Sequence, residues 1–398
     1  MLRYLPNFIV LHSPHVFSSS LSRVLLRAVP CAYFSTSFSK SDGVDFPLHV
    51  PVLLRETIAA FSRNSTNTSG LLHFVDGTAG FGGHSRAILQ HFTDAKVLCV
   101  DRDPEVLSIA QTNLAEFQDR VSFCNGSHND LDIHLKIAGF PNEVDGILVD
   151  LGANSFHFDT ARRGFSVLHD GPLDMRFNQQ DAQLQTAANA VNRLSEVQLT
   201  KIFRDFGEEK LAKEFAKAIV REREERGKVF ETTRDLRECI ERIANMWKSL
   251  KKGKNKKKSN RASKSASTHP ATRCFQALRI YVNDELNHVE SGVKKLANHL
   301  APNGRLLTIA FHSLEDRPIK DFLRELDKQG RIEADEDDEW EGEDSDDKDE
   351  DESEEDANSL SKKRFRLQRR KATKASAEEV AINSRSRSAR LRCLERIG

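Results

Sequence analysis

The residues equipped for chemistry stand where apolar runs stop. Leu71 to Val75 is followed by Asp76-Gly77-Thr78-Ala79-Gly80-Phe81-Gly82-Gly83-His84-Ser85. Glycines at 77, 80, 82 and 83 make a turn whose bare backbone can approach a ligand before a helix begins. The spacing is not G-x-G-x-x-G, the loop that brings a pyrophosphate to a helix start, and this counts against a nicotinamide or flavin dinucleotide. A nucleoside without phosphate can use wider glycine spacing with an acid at the loop's beginning. The next apolar run, Lys96 to Val100, ends at Asp101, 18 residues past Gly83, where a carboxylate can accept hydrogen bonds from both ribose hydroxyls. Together these point to S-adenosylmethionine. A purely structural glycine turn and a strand-end turn aspartate are the competing readings.

Asp145-Gly146-Ile147-Leu148-Val149-Asp150-Leu151-Gly152 is a third such run. Ligands of open α/β sheets collect outside the carboxyl ends of strands, so Asp150 would stand beside the cofactor's methyl group, placed to orient an incoming amine or the methionine amino group. Its competing role is to cap a turn. The six cysteines lie far apart with no C-x-x-C pair, so neither a zinc site nor a disulfide framework is indicated. No metal-ligand cluster is visible, and methyl transfer needs none.

These positions require strands alternating with helices. From Pro47 to about Phe158 the chain has that rhythm, with Asp103 and Pro104 as cap and first-turn proline of a helix running to about Phe117, and further strands at Val121 to Cys124 and Gly146 to Leu151. Between about Thr160 and Thr272 only helical spacing remains: Ser195 with Gln198 has capping-box spacing, Glu208 to Arg226 is a helix stopping at Gly227, and Thr232 with Asp235 opens another ending near Leu250. After Pro270 a long helix over Arg273 to Leu300, a turn at Pro302-Asn303-Gly304, a strand Arg305 to Phe311 and a helix from Ser313 resume the rhythm. The expected class is α/β, with a parallel sheet covered on both faces and interrupted by an all-helical insertion.

The chain of 398 residues is 38% hydrophobic and 30% charged, which describes a globular protein with polar additions. Net charge is zero, yet residues 333 to 356 hold 18 of the 60 acids, leaving 42 acids against 59 bases elsewhere. That surplus of about +17 favours a polyanionic partner. Residues 1–41 hold Arg3, Arg23, Arg27 and Lys40, no acid, many serines, and apolar Leu21, Val24, Leu25 and Ala28 at helical spacing. This is transit-peptide composition addressed to the mitochondrial matrix; a secretory signal is the rival. No apolar run approaches a bilayer span, so no membrane insertion is expected. The expected organisation is a transit peptide (1–41), core (47–159), helical insertion (160–272) with a disordered basic loop (251–268), core resumed (273–328), an acidic disordered segment (333–361) and a basic tail (362–398).

Gly80-Phe81-Gly82-Gly83-His84-Ser85, Asp101-Arg102-Asp103-Pro104, Asp150-Leu151-Gly152, Arg163-Gly164-Phe165-Ser166, Asp170-Gly171-Pro172-Leu173-Asp174-Met175-Arg176, His269-Pro270-Ala271-Thr272-Arg273 and Phe311-His312-Ser313-Leu314-Glu315-Asp316 occur in this order over roughly Leu48 to Phe322. Together they resemble the ribosomal small-subunit RNA cytosine methyltransferases of the MraW or RsmH type, and Asn383 to Arg396 resembles that family's closing segment. With its basic presequence the chain is similar to the family's mitochondrial member. The resemblance implies a class I Rossmann-like S-adenosylmethionine methyltransferase making N(4)-methylcytosine in the decoding region of small-subunit ribosomal RNA, acting on that RNA or on the assembling subunit.

Carried over position by position, the cofactor contacts are Gly82, Gly83, His84, Asp101, His128, Asp150 and His157, with Asp150 also the catalytic candidate. Two positions depart from the family: His157 stands where relatives commonly have glutamine, and His128 where an aromatic or apolar residue is usual. RNA contacts are expected from Arg163, Arg176 and Arg273, with Arg162 and Arg279 nearby. Lys362 to Lys374, with eight bases in thirteen residues, is either an RNA-binding tail or a solvated segment. Two other classes stay open: a noncatalytic ribosome-assembly factor that keeps the cofactor fold, and a nicotinamide oxidoreductase. The oligomeric state is left open.

Overall fold

A strand covered by helices on both faces has no reason to alternate, and the central strands are apolar throughout. Val97, Leu98, Cys99 and Val100 are all fully buried, as are Ile147 and Leu148. The computed structural model describes residues 51–62, 70–254, 269–337 and 363–397, without the side chains of 251–254 and 330–337. The chain divides into two compact units, 1–48 and 49–398; the first lies outside the described residues, and everything below concerns the second.

Seven strands form one sheet: β1 (Leu72–Asp76), β2 (Ala95–Asp101), β3 (Val121–Asn125), β4 (Val144–Asp150), β5 (Leu300–Ala310), β6 (Phe365–Leu367) and β7 (Arg390–Arg396). Their spatial order is β3-β2-β1-β4-β5-β7-β6. The first five run parallel; β7 is antiparallel to β5, and β6 to β7. One face packs on α1 (Leu54–Ser62), α2 (Gly83–His91) and α3 (Pro104–Asn113) through Phe61, Ile88, Leu89 and Leu107. The other packs on α4 (Leu131–Ala138), α11 (Glu285–Asn298) and α12 (Ser313–Asp337) through Leu135, Val293 and Leu323. The expected class, a Rossmann-like methyltransferase fold with a helical insertion, is the fold observed. Asp103 caps α3 by accepting from the Glu105 and Val106 backbones, ahead of Pro104.

Between β4 and β5 lie α5 (Ser155–Asp159), α6 (Ala187–Arg193), α7 (Glu196–Asp205), α8 (Ala212–Arg226), α9 (Thr233–Lys254) and α10 (Thr272–Asn283). The capping box of Ser195 with Gln198 opens α7. Helices α6 to α9 share a core with residues of α10 such as Phe275 and Leu278. The single long helix expected over 273–300 is two helices, broken where Asp284 takes φ 51°. The break lets α10 pack on the insertion while α11 packs on the sheet. The turn at Pro302-Asn303-Gly304 lies inside β5 as a bulge: Leu300 pairs with Val144 and Arg305 with Gly146, and Asn303 takes φ 64°.

The largest correction is at the carboxyl end. Residues 363–397 are no free tail; they supply β6, α13 (Ala377–Ile382) and β7 to the fold. Phe365 and Leu394 are buried, and Lys363 donates to the Glu143 carboxylate and the Asn298 carbonyl. Charged residues hid these strands in the sequence because their charges are paired internally. Arg392 binds Asp316 at 2.8 Å, and Arg305 binds Glu395 at 3.3 Å, all four side chains being buried. Of the other expected segments, the presequence, residues 255–268 of the basic loop and residues 338–361 of the acidic run lie outside the described residues. Residues 251–254 and 333–337 continue α9 and α12.

Candidate active site

The strand order reverses direction between β1 and β4, which opens a crevice at the carboxyl ends of the strands. A cavity of about 490 Å³ lies there. Its walls come from the segment after β1 (Gly77 to Phe81, Gly83 and His84), Asp101 and Arg102 after β2, His128 after β3, Asp150 to Ser155 after β4, and Phe311, His312 and Glu315 after β5. Phe177, Arg279, Glu285 and His288 close it from the insertion and from α11, and Arg385 and Ser388 from the carboxyl-terminal segment.

The glycine loop is bolted to its neighbours by its backbone. Gly77 donates to the Leu148 carbonyl and Ala79 to the Val100 carbonyl, while the Asp150 N–H donates to Thr78 Oγ1 at 2.6 Å. A Cβ on Gly77 would stand 3.1 Å from the His128 Cβ and 3.3 Å from a Val149 methyl. Gly82 takes φ 80° and faces Leu114, whose methyl would lie 2.8 Å from an added Cβ. Gly82 is therefore required by the loop's conformation and packing; it is absent from the cavity wall, whereas Gly83 lines it.

Asp101 Oδ2 accepts from the Gly80 N–H at 2.8 Å and Oδ1 from the Asp103 N–H at 2.9 Å. Each oxygen keeps a lone pair for a ligand. Burial pushes Asp101 up to about 6 against those two hydrogen bonds. Asp76 also rises to about 6 by burial, although Ser85 Oγ donates to it at 2.7 Å. His84 and His128 are pushed down to about 4, burial leading in both, so both are neutral imidazoles at physiological pH.

Asp150 is the least satisfied group. Its Oδ1 is buried with no hydrogen-bond partner among the described residues, and Oδ2 lies 4.0 Å from His84 Nδ1. Burial, then the charges of Asp76 and Glu315, push it well above the usual carboxylate range. Glu315 moves the other way: burial works to raise it, but His312, Arg279 and the Phe311 N–H outweigh burial and hold it low. The surroundings thus favour the charged form of Glu315 and the neutral form of Asp150. Added positive charge would favour ionisation of the latter.

His157 lines the cavity, yet both its ring nitrogens are engaged elsewhere. Nδ1 accepts from the Asn154 N–H in a capping box, and Nε2 donates to Asp103 at 2.8 Å. The ring face is what it keeps for the expected cofactor contact. The same Asp103 binds Arg163 at 2.6 Å, and Arg163 also reaches Glu105 and the carbonyls of Arg176 and Phe177. Arg163 is wholly buried and cannot meet a phosphate, which corrects its assignment to RNA. It clamps the first turn of α3 to the insertion. Arg176 is held by both oxygens of Asp174. Arg273 is exposed, with one nitrogen on the Glu208 carbonyl, and stays available to a polyanion. Arg279 is paired with Glu285 through two hydrogen bonds of 2.9 Å.

Glu315 and His312 stand out in the sequence only as part of a matching motif. Their signal is the rule that singles out Asp150: they directly follow a strand that pairs with β4, Ile309 beside Asp150. Arg279, Glu285 and Arg385 carry no such signal, because distant segments bring them in.

Residues 47–341 match the MraW methylase family. The chain belongs to that family. Proteins named "Ribosomal RNA small subunit methyltransferase H" are similar to this MraW-family methyltransferase. One from Shewanella violacea is 37% identical over 88% of this chain and 97% of its own length. Those from Lawsonia intracellularis and Nostoc punctiforme are 39% and 40% identical over 70% and 69% of this chain, and 82% of their own. Among the described residues no helix is long and apolar enough to cross a membrane, and no group of three or more His, Cys, Asp or Glu could hold a metal ion.

In this MraW-family chain Arg163 separates a structural role from an RNA-binding one. Arg163→Ala should lower stability by about 3 to 5 kcal/mol in denaturant unfolding, because Asp103 stays buried without its guanidinium. The salt dependence of RNA binding by the folded protein should not change, whereas Arg273→Ala should make it shallower by about one phosphate contact.

Proposed function

We propose that the protein transfers a methyl group from S-adenosylmethionine to the exocyclic N4 of a cytosine in the decoding region of small-subunit ribosomal RNA, and that it does so in the mitochondrial matrix. On this reading it is the mitochondrial member of its family, of the kind represented by methyltransferase-like protein 15. The observation that carries the chemistry is the buried, partnerless Asp150 oxygen in a cavity with a surplus of carboxyl groups. Such a cavity suits a ligand that is itself a cation. The names of the relatives support the RNA; the acid-free, basic residues 1–41 support the compartment.

The donor sets the residues their tasks. S-adenosylmethionine supplies an electrophilic methyl on a sulfonium when bound. Asp101 fits the ribose hydroxyls, having one free lone pair on each oxygen, and the backbone of Gly80, Phe81 and Gly83 fits the nucleoside beside it. The neutral rings of His84 and His128 add no positive charge to repel the sulfonium. Asp150, ionised by the bound cation, accepts a hydrogen bond from the cytosine amine and turns its lone pair toward the methyl. A base cannot reach such a cavity from within a helix, so the target nucleotide is unstacked first. Exposed Arg273 and Arg162 are suited to hold the flanking phosphates.

Two measurements test this. Purified protein incubated with S-adenosylmethionine and mitochondrial small-subunit RNA, free or assembled, should yield N(4)-methylcytidine by nucleoside mass spectrometry. Asp101→Ala should weaken cofactor binding about tenfold or more while leaving much of the saturated rate; Asp150→Ala should lower the saturated rate by about 100-fold. Cofactor binding without transfer would instead make this an assembly factor, and an unchanged saturated rate in Asp150→Ala would make Asp150 a methionine-binding residue only.

For the address, residues 1–41 fused to a reporter should carry it into mitochondria. A cytosolic reporter would remove the compartment from the proposal.

A further inference from the structure

Eight side-chain atoms among the described residues are buried without a hydrogen-bond partner, and those lining the cavity belong to two residues. One is Asp150. The other is His312, whose Nδ1 has no partner. A buried ring nitrogen left unmet is costly. His312 Nε2 lies 2.9 Å from Glu315 Oε1 and is engaged by that carboxylate. Glu315 is anchored by the Phe311 N–H at 2.9 Å. His312 and Asp150 follow paired strand ends, with the Leu151 N–H donating to the Ile309 carbonyl between them. A Cβ built on Gly152 would be 3.8 Å from Glu315 and 4.0 Å from the Phe311 ring, so the two strand ends face one space.

We propose that His312 is the base that takes the proton released by the target amine, with Glu315 as the positioning residue that stabilises the resulting imidazolium. The inference rests on the amine-methylation reading above. As the nitrogen lone pair forms the new N–C bond, the S–C bonding pair stays with sulfur. The nitrogen then carries one proton in excess. That proton needs an acceptor, and it passes to the Nδ1 of His312, which gives it up to solvent as product leaves. Asp150 orients the amine through a hydrogen bond and keeps no proton from it; His312 removes the proton. Glu285 on α11 and Glu315 on α12 act on His312, while Arg279 on α10, Asp150 on β4 and His84 on α2 line the same cavity. The Arg279 charge is offset by its pair with Glu285, which leaves Glu315 as the carboxylate beside the ring.

The test compares single-turnover rates at saturating S-adenosylmethionine and small-subunit RNA, with cofactor affinity by calorimetry and folding by thermal melting. His312→Ala should lose about 100-fold in rate and stay within about twofold of wild type in cofactor affinity. Added imidazole should restore at least about tenfold of that loss and leave wild type unaffected. His312→Gln, which can hydrogen-bond but cannot take a proton, should be as slow as His312→Ala. Glu315→Gln, which keeps an acceptor for the Phe311 N–H, should lower the rate while leaving cofactor affinity within about twofold of wild type. A His312→Gln enzyme at the wild-type rate, or a His312→Ala enzyme deaf to imidazole, would overturn the proposal. Nucleoside mass spectrometry of the wild-type product decides the cytosine reading separately. Methyl on another base's amine would overturn that reading and leave the His312 comparison to decide this one; a wild type that transfers no methyl would overturn both.

Discussion

Carboxyl groups crowded at one end of the sheet are the constraint on which the rest depends. Asp76, Asp101, Asp150 and Glu315 stand at the carboxyl ends of neighbouring strands or directly beyond them. Two unit charges 4 Å apart still interact by about 4 kcal/mol at an effective dielectric of about 20, so ionising one of these groups raises the cost of ionising the next. Of the cavity's arginines, Arg279 is committed to Glu285 and Arg385 reaches out to Ser155 and Asp159, while Arg102, which donates to the Asn283 carbonyl, keeps its charge facing Asp101 and Glu285. Burial and the neighbouring charges push Asp150 toward its neutral form. A cationic ligand pushes it the other way.

The fold is organised to hold this unfavourable arrangement still. Glycines at the first turn bring the β1 loop against β2, β3 and β4 without side chains in the way. The carboxyl-terminal strands do their part from the far side of the sheet. Asp316, next to Glu315 on α12, is gripped by Arg390 and Arg392 of β7. The ion pairs that hold β7 in the sheet therefore also fix the start of the helix that presents His312 and Glu315. Arg163, between Asp103 and the insertion, does the same for the turn after β2. A buried pair adds little net stability by itself, but loss of one partner is expensive, and this keeps each loop in a single position.

Much of this was legible in the sequence where local rules suffice. The glycine loop, the strand-end acids Asp101 and Asp150, the cap at Asp103 and the capping box at Ser195 all depend on residues a few positions apart. What was hidden depends on residues far apart. Arg163 reads as a basic surface residue until Asp103 and Glu105 are seen around it, and β7 reads as a charged tail until Arg305 and Asp316 meet its Glu395 and Arg392. The break at Asp284 has no glycine or proline to mark it. It exists because α10 and α11 have different cores to satisfy.

The proton balance of cofactor binding tests the charge conflict most directly. S-adenosylmethionine titrated at pH 7 in two buffers of different ionisation enthalpy should release protons on binding, and Asp150→Asn should release fewer. A wild type that binds the cofactor with no proton released would mean that Asp150 is not held protonated by its surroundings, and would contradict the electrostatic basis of the site.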